Sequence, residues 1–419
     1  MGPVQSAELD FFPLDEELEL LPGGLTPQLH EWLVRLGTWM PFEQAAEIVT
    51  SFSRTQVSEA DSRRKTEEAG GVYVQLQQEA VEALEEGRVE AEQGPARLVM
   101  TVDGAMVPLV GGEWAEVKTL TIGVPEVTVN SGGQTVVHTK ELSYFSRLAE
   151  AERFSHDALV ETERRGLSTA GEVAVVADGA EWIQGLVDFH RPDALRILDF
   201  PHAAEKVGLV SQILTVADLP HNDSWLADEL HHLKHDGPTA LLEQLGQWQQ
   251  SNPDLPLAEP FNYLNKREKL MDYPAFQAAG WPIGSGSGES ANKLVVEARL
   301  KGAGMHWQRC HVNPMLALRN IVCNDRWAEA WPQIADRLRQ NDRHSRLLKQ
   351  QQRWAAKNPS PPAPPPITLA SALVAPSQSD PPPPAPKKPA RPAADHPWRR
   401  SPIGRARFRS PAPISSAKI

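Results

Sequence analysis

Two acidic residues draw attention because each follows an apolar run and precedes a glycine. Residues 98–102 read LVMTV and lead into Asp103-Gly104, and residues 173–177 read VAVVA and lead into Asp178-Gly179. Asp-Gly alone is a common turn pair. Two buried-type runs that both finish in it place two carboxylates side by side at one edge of a sheet. A third acid, Glu289, follows Gly284, Gly286 and Gly288 in the stretch WPIGSGSGESANK, where a loop without bulky side chains leads into a helix. Three hard oxygen ligands of this kind suit Mg²⁺ or Mn²⁺. Two such ions roughly 3.5–4 Å apart activate an attacking oxygen and stabilise a leaving one in displacement at phosphorus, with no nucleophilic side chain. Glu297 is the alternative third acid; it lies about 80° around a helix from Glu289, so the two do not share one ion.

Acids so far apart in the chain need a scaffold, and the hydrophobic periodicity gives one in pieces. About residues 26–95 read as helical: Trp32, Leu33 and Leu36 recur at helical spacing, Ala45, Ala46 and Val49 follow Pro41, and Ser58 with Asp61 makes a capping-box-like start. The helix that starts there carries Arg63, Arg64 and Lys65 and is expected to end at Gly70-Gly71. The helices around residues 53–56 read either as a helix-turn-helix that presents residues 59–64 to DNA or as a plain helical linker with a solvated basic face.

From about residue 96 to 202 the pattern changes to three strands, a helix (147–166), a strand, a helix (180–189) and a strand. The first three suit an antiparallel meander; the fourth follows a helical crossover and pairs in parallel. The expected fold is mixed α/β, in the order a ribonuclease-H-like core requires. About residues 203–279 read as an α-helical insertion in that core, and about 280–351 as the third acid followed by helices rich in Arg, Lys and Trp. About residues 1–25 read as a flexible acidic start, and about 352–419, dominated by Pro, Ala and Ser with scattered Arg, as a disordered basic tail.

Hydrophobic residues make up 41% and charged residues 23% of 419, as in ordinary soluble proteins, and no run is long and apolar enough for a membrane span. The acidic start lacks a secretory signal pattern. Two cysteines, Cys310 and Cys323, are too few for a disulfide framework, so a cytoplasmic protein is expected. The net charge is −12, but ten Lys or Arg against two Asp lie from Lys357 onward, which leaves −20 on residues 1–356. Any contact with DNA must then use local basic patches and metal ions, since no global positive field exists. An aromatic fraction of 6% and a glycine-rich loop leading to a basic helix speak against a carboxylate-paired sugar cleft.

The stretches TVDGAMVPLVGGEW, VVADGAEWIQGLVDFHRPDALRILDFPHAAEK and WPIGSGSGESANKLVVEARLKGAGMHW, followed by NPMLALRN and NDRWAEAW, resemble bacterial insertion-sequence transposases of the ISKra type over about residues 26–335. Such proteins are similar to the wider Mutator-like DDE group. The resemblance implies a ribonuclease-H-like core with a helical insertion between the second and third acids, and Asp103, Asp178 and Glu289 as a triad for Mg²⁺ or Mn²⁺. It further implies cleavage and strand transfer at terminal inverted repeats, by a homo-oligomer assembled on those ends and on target DNA. Asp199 and His202 resemble the Asp-x-x-His signature that follows the second acid in related elements, which makes them auxiliary active-site residues; read alone, they equally cap the next helix. Lys293, Arg299, Lys301 and Arg309 join Arg63, Arg64 and Lys65 as candidate DNA contacts, or else form structural salt bridges. Trp281 and Trp307 either stack on an unpaired base or pack in the core. Gly288 stands where these transposases more often carry an apolar residue. The other function class is a catalytically silent relative that only binds element ends through its N-terminal helices.

Overall fold

The computed structural model describes residues 18, 20–88, 92–130, 132–133, 135–219, 222 and 224–357. Residues 1–17 and 19 of the expected flexible start and 358–419 of the expected basic tail lie outside the described residues.

Three helices come first: α1 (Pro27–Trp39), α2 (Phe42–Ser53) and α3 (Glu59–Glu85). The Ser58 hydroxyl accepts from the Asp61 N–H at 3.1 Å and so caps α3 as its sequence signature requires. Between α2 and α3 the chain reverses through Arg54 in the left-handed region at φ 58°. The expected end of α3 at Gly70-Gly71 is not found, and the helix runs through both glycines. Gly70 is there for contact: a Cβ would fall 2.2 Å from the carbonyl oxygen of Pro314, so only glycine lets the two backbones approach this closely.

The sheet follows as β1 (Arg97–Pro108), β2 (Trp114–Val129) and β3 (Thr135–Arg147), then α4 (Ala151–Arg164), β4 (Glu172–Ala177), α5 (Glu181–His190) and β5 (Leu195–Leu198). Its spatial order is β3-β2-β1-β4-β5. The β1–β2 and β2–β3 pairs are antiparallel, and the β1–β4 and β4–β5 pairs are parallel. The protein is thus mixed α/β, with the meander and the parallel additions in the expected sequence. One expectation fails: β1 does not stop at Asp103. It continues to Pro108, paired beyond Thr101 with β2 alone.

Helices α6 (Phe200–Val216), α7 (Trp225–His235), α8 (Thr239–Ser251), α9 (Ala258–Asn265) and α10 (Tyr273–Ala278) come next. Helix α11 (Gly286–Ala291) continues as a π-helical stretch (Asn292–Glu297) and a last α turn (Ala298–Leu300), before α12 (Arg309–Cys323) and α13 (Trp327–Lys357). The last of these extends six residues past the expected boundary at 351.

Alternation along the strands sets two faces. Leu98, Met100, Val102, Val173 and Val175 pack on Phe154 and Ala158 of α4 and on Ile183, Leu186 and Val187 of α5. Val99, Ala174 and Val176 pack the other way, on Val207 and Val210 of α6, Leu241 of α8 and Leu264 of α9. A third cluster joins Val34 of α1 and Val72 of α3 to Leu318 and Ile321 of α12 and to Trp331 and Ile334 of α13.

The free edge of the sheet, β3, and the residue after it are closed by two asparagines of α12 and a third, Asn324, that caps its end. Asn324 exchanges two hydrogen bonds with the Tyr144 backbone (2.8 and 2.9 Å), Asn320 two with Ser146 (3.1 and 3.3 Å) and Asn313 two with Leu148 (2.8 and 3.1 Å). A side-chain amide carries both a donor and an acceptor, so each stands in for one residue of a missing strand and blunts the edge against pairing with another chain.

Among the described residues no helix is long and apolar enough to cross a membrane.

Candidate active site

Strand register brings the acids together. The parallel β1–β4 ladder ends at Thr101 opposite Val176, and the β4–β5 ladder at Ala177 opposite Leu198. Carrying those registers forward sets Asp103 of β1 level with Asp178 and Asp199, the residues that directly follow β4 and β5. Side chains at one level of a parallel sheet share a face. For Asp103 and Asp178 this is the face of Val99, Ala174 and Val176, towards the helices that follow β5.

Each carboxylate is held by its surroundings. Asp103 Oδ2 accepts from Asn292 Nδ2 at 2.9 Å, and its Oδ1 from the Gly104 N–H at 2.7 Å. Asp178 Oδ1 accepts from the Ala180 N–H at 2.8 Å. Asp199, almost fully buried, accepts from the Ser285 N–H at 2.7 Å and from His202 Nδ1 at 2.6 Å. Burial pushes the Asp103 carboxyl above the usual range, and the negative charge of Asp178 pushes it further, against the Gly104 and Asn292 hydrogen bonds. The His202 imidazole is raised, first by its hydrogen bond to Asp199 and then by the charges of Asp199, Asp178 and Asp103. The charges of Asp178 and Asp103 thus act on His202, and that of Asp178 acts on Asp103. Asp103 and Asp178 are the two residues here that suit a hard divalent ion, because such an ion would relieve their mutual repulsion.

Glu289 lies elsewhere. Its side chain is 67% exposed and pairs with Lys293 at 2.6 Å, one helical turn on. The alternative acid, Glu297, pairs in the same way with Lys301 at 2.7 Å. Among the described residues no group of three His, Cys, Asp or Glu is drawn together closely enough to hold an ion. The residue of this helix that reaches Asp103 is Asn292. The glycine at 288 has a local reason: a Cβ there would come 3.2 Å from Thr101 Oγ1 and 3.5 Å from Asp103 Cβ. Helix α11 lies against β1 at the acid itself, and the Ser287 and Thr101 hydroxyls sit 3.2 Å apart beside it.

The candidate DNA contacts divide. Arg63 and Arg64 are exposed near the start of α3, Arg64 paired with Asp61. Both line a groove of about 1160 Å³ that also holds Glu59, Asp61, Glu67 and Glu68. Arg309 is exposed at the start of α12, and Lys293 and Lys301 are exposed with the glutamate partners above. Lys65 and Arg299 do not face solvent. Lys65 falls on the inner stripe of α3 with Ser62, Thr66 and Ala69, and its Nζ donates to the Pro22 carbonyl at 2.8 Å. Arg299 donates to the Gly37 carbonyl at 2.9 Å and lies over the rings of Phe42 and Trp307, 4.6 and 5.1 Å from their centroids. Burial lowers its pKa to about 10. Both are structural cations. Trp281 and Trp307 are core residues: Arg97 covers the first at 3.7 Å, and the indole N–H of the second donates to the Leu300 carbonyl at 3.1 Å.

Four further residues shape the site without a signal in the sequence. Tyr263 donates its hydroxyl to the Asp178 carbonyl, and Arg267 donates to the Gly179 carbonyl at 2.8 Å while stacking on the Tyr263 ring. Together they pin the Asp178 turn from the helices after β5. The other two are Asn292 and Arg319. No family model matches the chain, and no curated protein matches it.

Proposed function

We propose that this chain is a metal-dependent DNA transposase of the DDE type, with a ribonuclease-H-like core that presents Asp103 and Asp178 to a divalent ion and a helix-turn-helix at α2–α3 that contacts DNA. The observation that carries the reading is the level placement of Asp103 on β1 with Asp178 and Asp199 just past the ends of β4 and β5, with His202 bonded to Asp199. The strand order β3-β2-β1-β4-β5, three antiparallel strands followed by two parallel ones, supports the core assignment. So does the position of helices α6–α10 between β5 and the glycine-rich loop. Mg²⁺ or Mn²⁺, when bound, supplies the Lewis acidity for in-line attack at phosphorus.

The chain's own residues prepare that chemistry. Asp103 and Asp178 set two carboxylate oxygens where a phosphate can approach an ion they hold. Asp199 fixes the His202 ring through Nδ1, leaving Nε2 to donate to a phosphate oxygen, which the raised pKa of the imidazole favours. Arg63 and Arg309 are exposed cations available to neutralise phosphates. Terminal repeats and target DNA are the proposed partners, bound by more than one copy of the chain.

The test is nicking and strand joining of labelled DNA that carries the sequence flanking the reading frame, in Mg²⁺ and in Mn²⁺. The native protein cuts and joins; Asp103→Asn and Asp178→Asn lose more than about a hundredfold with DNA binding retained, since a lost ligand costs more than a lost outer-shell partner. Glu289→Gln falls equally if DNA or metal swings Glu289 away from Lys293. The Glu289–Lys293 pair also favours a second reading, a DNA-binding relative without activity. A native protein that binds these ends but cuts with neither metal establishes that second reading and removes the first.

A further inference from the structure

Asn292 occupies an unusual position. Its side chain is 5% exposed, and its Nδ2 donates to Asp103 Oδ2 at 2.9 Å, while its Oδ1 is buried with no donor among the described residues. Exchanging the amide nitrogen and oxygen does not remove the problem, because the oxygen would then face a carboxylate. A buried amide oxygen left without a donor costs about 1–3 kcal/mol, so this oxygen asks for a proton donor or a cation beside Asp103.

The backbone that carries Asn292 is also special. It opens the π-helical stretch, a rare geometry that recurs at functional sites. Arg319, 0% exposed, holds that stretch in place: its guanidinium donates to the Leu294 and Val295 carbonyls inside the π segment and to the Thr38 carbonyl at the end of α1. A rigid planar fork of donors thus fixes the turn from which Asn292 reaches the sheet.

We infer that Asn292 is a positioning residue of the metal site: its amide nitrogen orients Asp103, and its amide oxygen receives a hydrogen bond from water bound at the same ion. The inference rests on the proposed metal-dependent reading of Asp103 and Asp178. It adds to that reading a residue which is neither an acid nor a ligand from the sequence pattern.

The experiment measures Mn²⁺ binding to the full chain by paramagnetic resonance of the free ion, for native protein, Asp103→Asn, Asn292→Ala and Asn292→Leu. The leucine variant keeps the buried volume in case alanine disturbs packing. Both Asn292 variants are expected to weaken Mn²⁺ binding by about tenfold or more, as outer-shell partners do. They should also raise by a like factor the Mn²⁺ concentration for half-maximal nicking, with a smaller change in the rate at saturating metal. Thermal unfolding in EDTA identifies which variants are folded, and one folded variant suffices. If a folded Asn292 variant binds Mn²⁺ within about twofold of native while Asp103→Asn does not bind, the inference falls and the metal site stands. If native protein and Asp103→Asn bind Mn²⁺ alike, the metal site itself falls and takes the inference with it.

Discussion

The sheet edge and the helical layer around α1, α3 and α12 treat charge in opposite ways. At the sheet edge, Asp103, Asp178 and His202 are half-buried; the charge of Asp178 helps to raise Asp103, and both carboxylates help to raise His202. In the helical layer, Lys65, Arg299 and Arg319 are turned inward and spend their donors on the carbonyls of Pro22, Gly37, Thr38, Leu294 and Val295. The two histidines mark the contrast. His202 is raised by its carboxylate neighbours, whereas His30, packed beside Trp331 with neither ring nitrogen partnered, is lowered to about 3 by burial and then by the charge of Lys65. The carboxylate pair at the sheet edge is the proposed place for a counter-ion; the inward cations, each bonded to a backbone carbonyl, are struts.

The strut side of the comparison breaks most visibly at Arg319. Replacing it with methionine removes three hydrogen bonds from a charged donor to backbone carbonyls, at about 1.5–3 kcal/mol each. A loss of about 3 kcal/mol or more in urea unfolding is expected, while Arg309→Met, at an exposed position, stays within about 0.5 kcal/mol of native. Equal losses for the two arginines would erase the distinction between strut and surface charge.

Acidification tests the same layer more gently. Because the folded-state pKa of His30 lies below its unfolded value, its contribution is present above pH ~6.5. It is lost as pH falls towards about 3, since the unfolded chain takes up a proton that the folded chain refuses. At pH 5, roughly 1.5 units below the unfolded value, the expected loss is on the order of 2 kcal/mol. Comparing native protein with His30→Met at pH 7.5 and pH 5 isolates it: the native protein should lose that much more than the variant. A difference that does not change with pH would mean that His30 is hydrated in solution.

These contrasts also show what a linear reading can reach. The mixed sheet was legible because strand and helix periods differ, and Asp103 and Asp178 were legible because apolar runs end at them. That Asp199 stands level with both is a fact of register, and register is decided by pairing across the sheet. Gly70 looked like a helix end because glycine stops helices more often than it admits a crossing backbone; its reason, Pro314, lies far along the chain. Glu289 drew attention as an acid behind glycines, but helix phase turns it to Lys293 and gives Asn292 the contact with Asp103. Lys65 beside Arg63 and Arg64 looked like one basic patch, yet Ser62, Thr66 and Ala69 fix the buried stripe of α3, and Lys65 falls on it.

That last pair gives the smallest and most selective test, because neighbours in sequence have been assigned to opposite sides of the comparison. Lys65→Met removes one hydrogen bond to the Pro22 carbonyl and should cost about 1 kcal/mol of stability. Because it removes no exposed charge, the affinity for element ends expected under the proposed function, and its dependence on salt, should match native. Arg63→Ala removes an exposed charge and should leave stability within about 0.5 kcal/mol. The slope of log affinity against log salt should then fall by about one, the signature of a single lost phosphate contact. The reverse outcome, with the salt slope following Lys65 and stability following Arg63, would require α3 to rotate on DNA so that its buried stripe becomes the binding face. The crossing at Gly37, where a Cβ would sit 2.5 Å from Thr66 Oγ1, stands against such a rotation, since the helices there are packed too closely for α3 to turn without separating from α1.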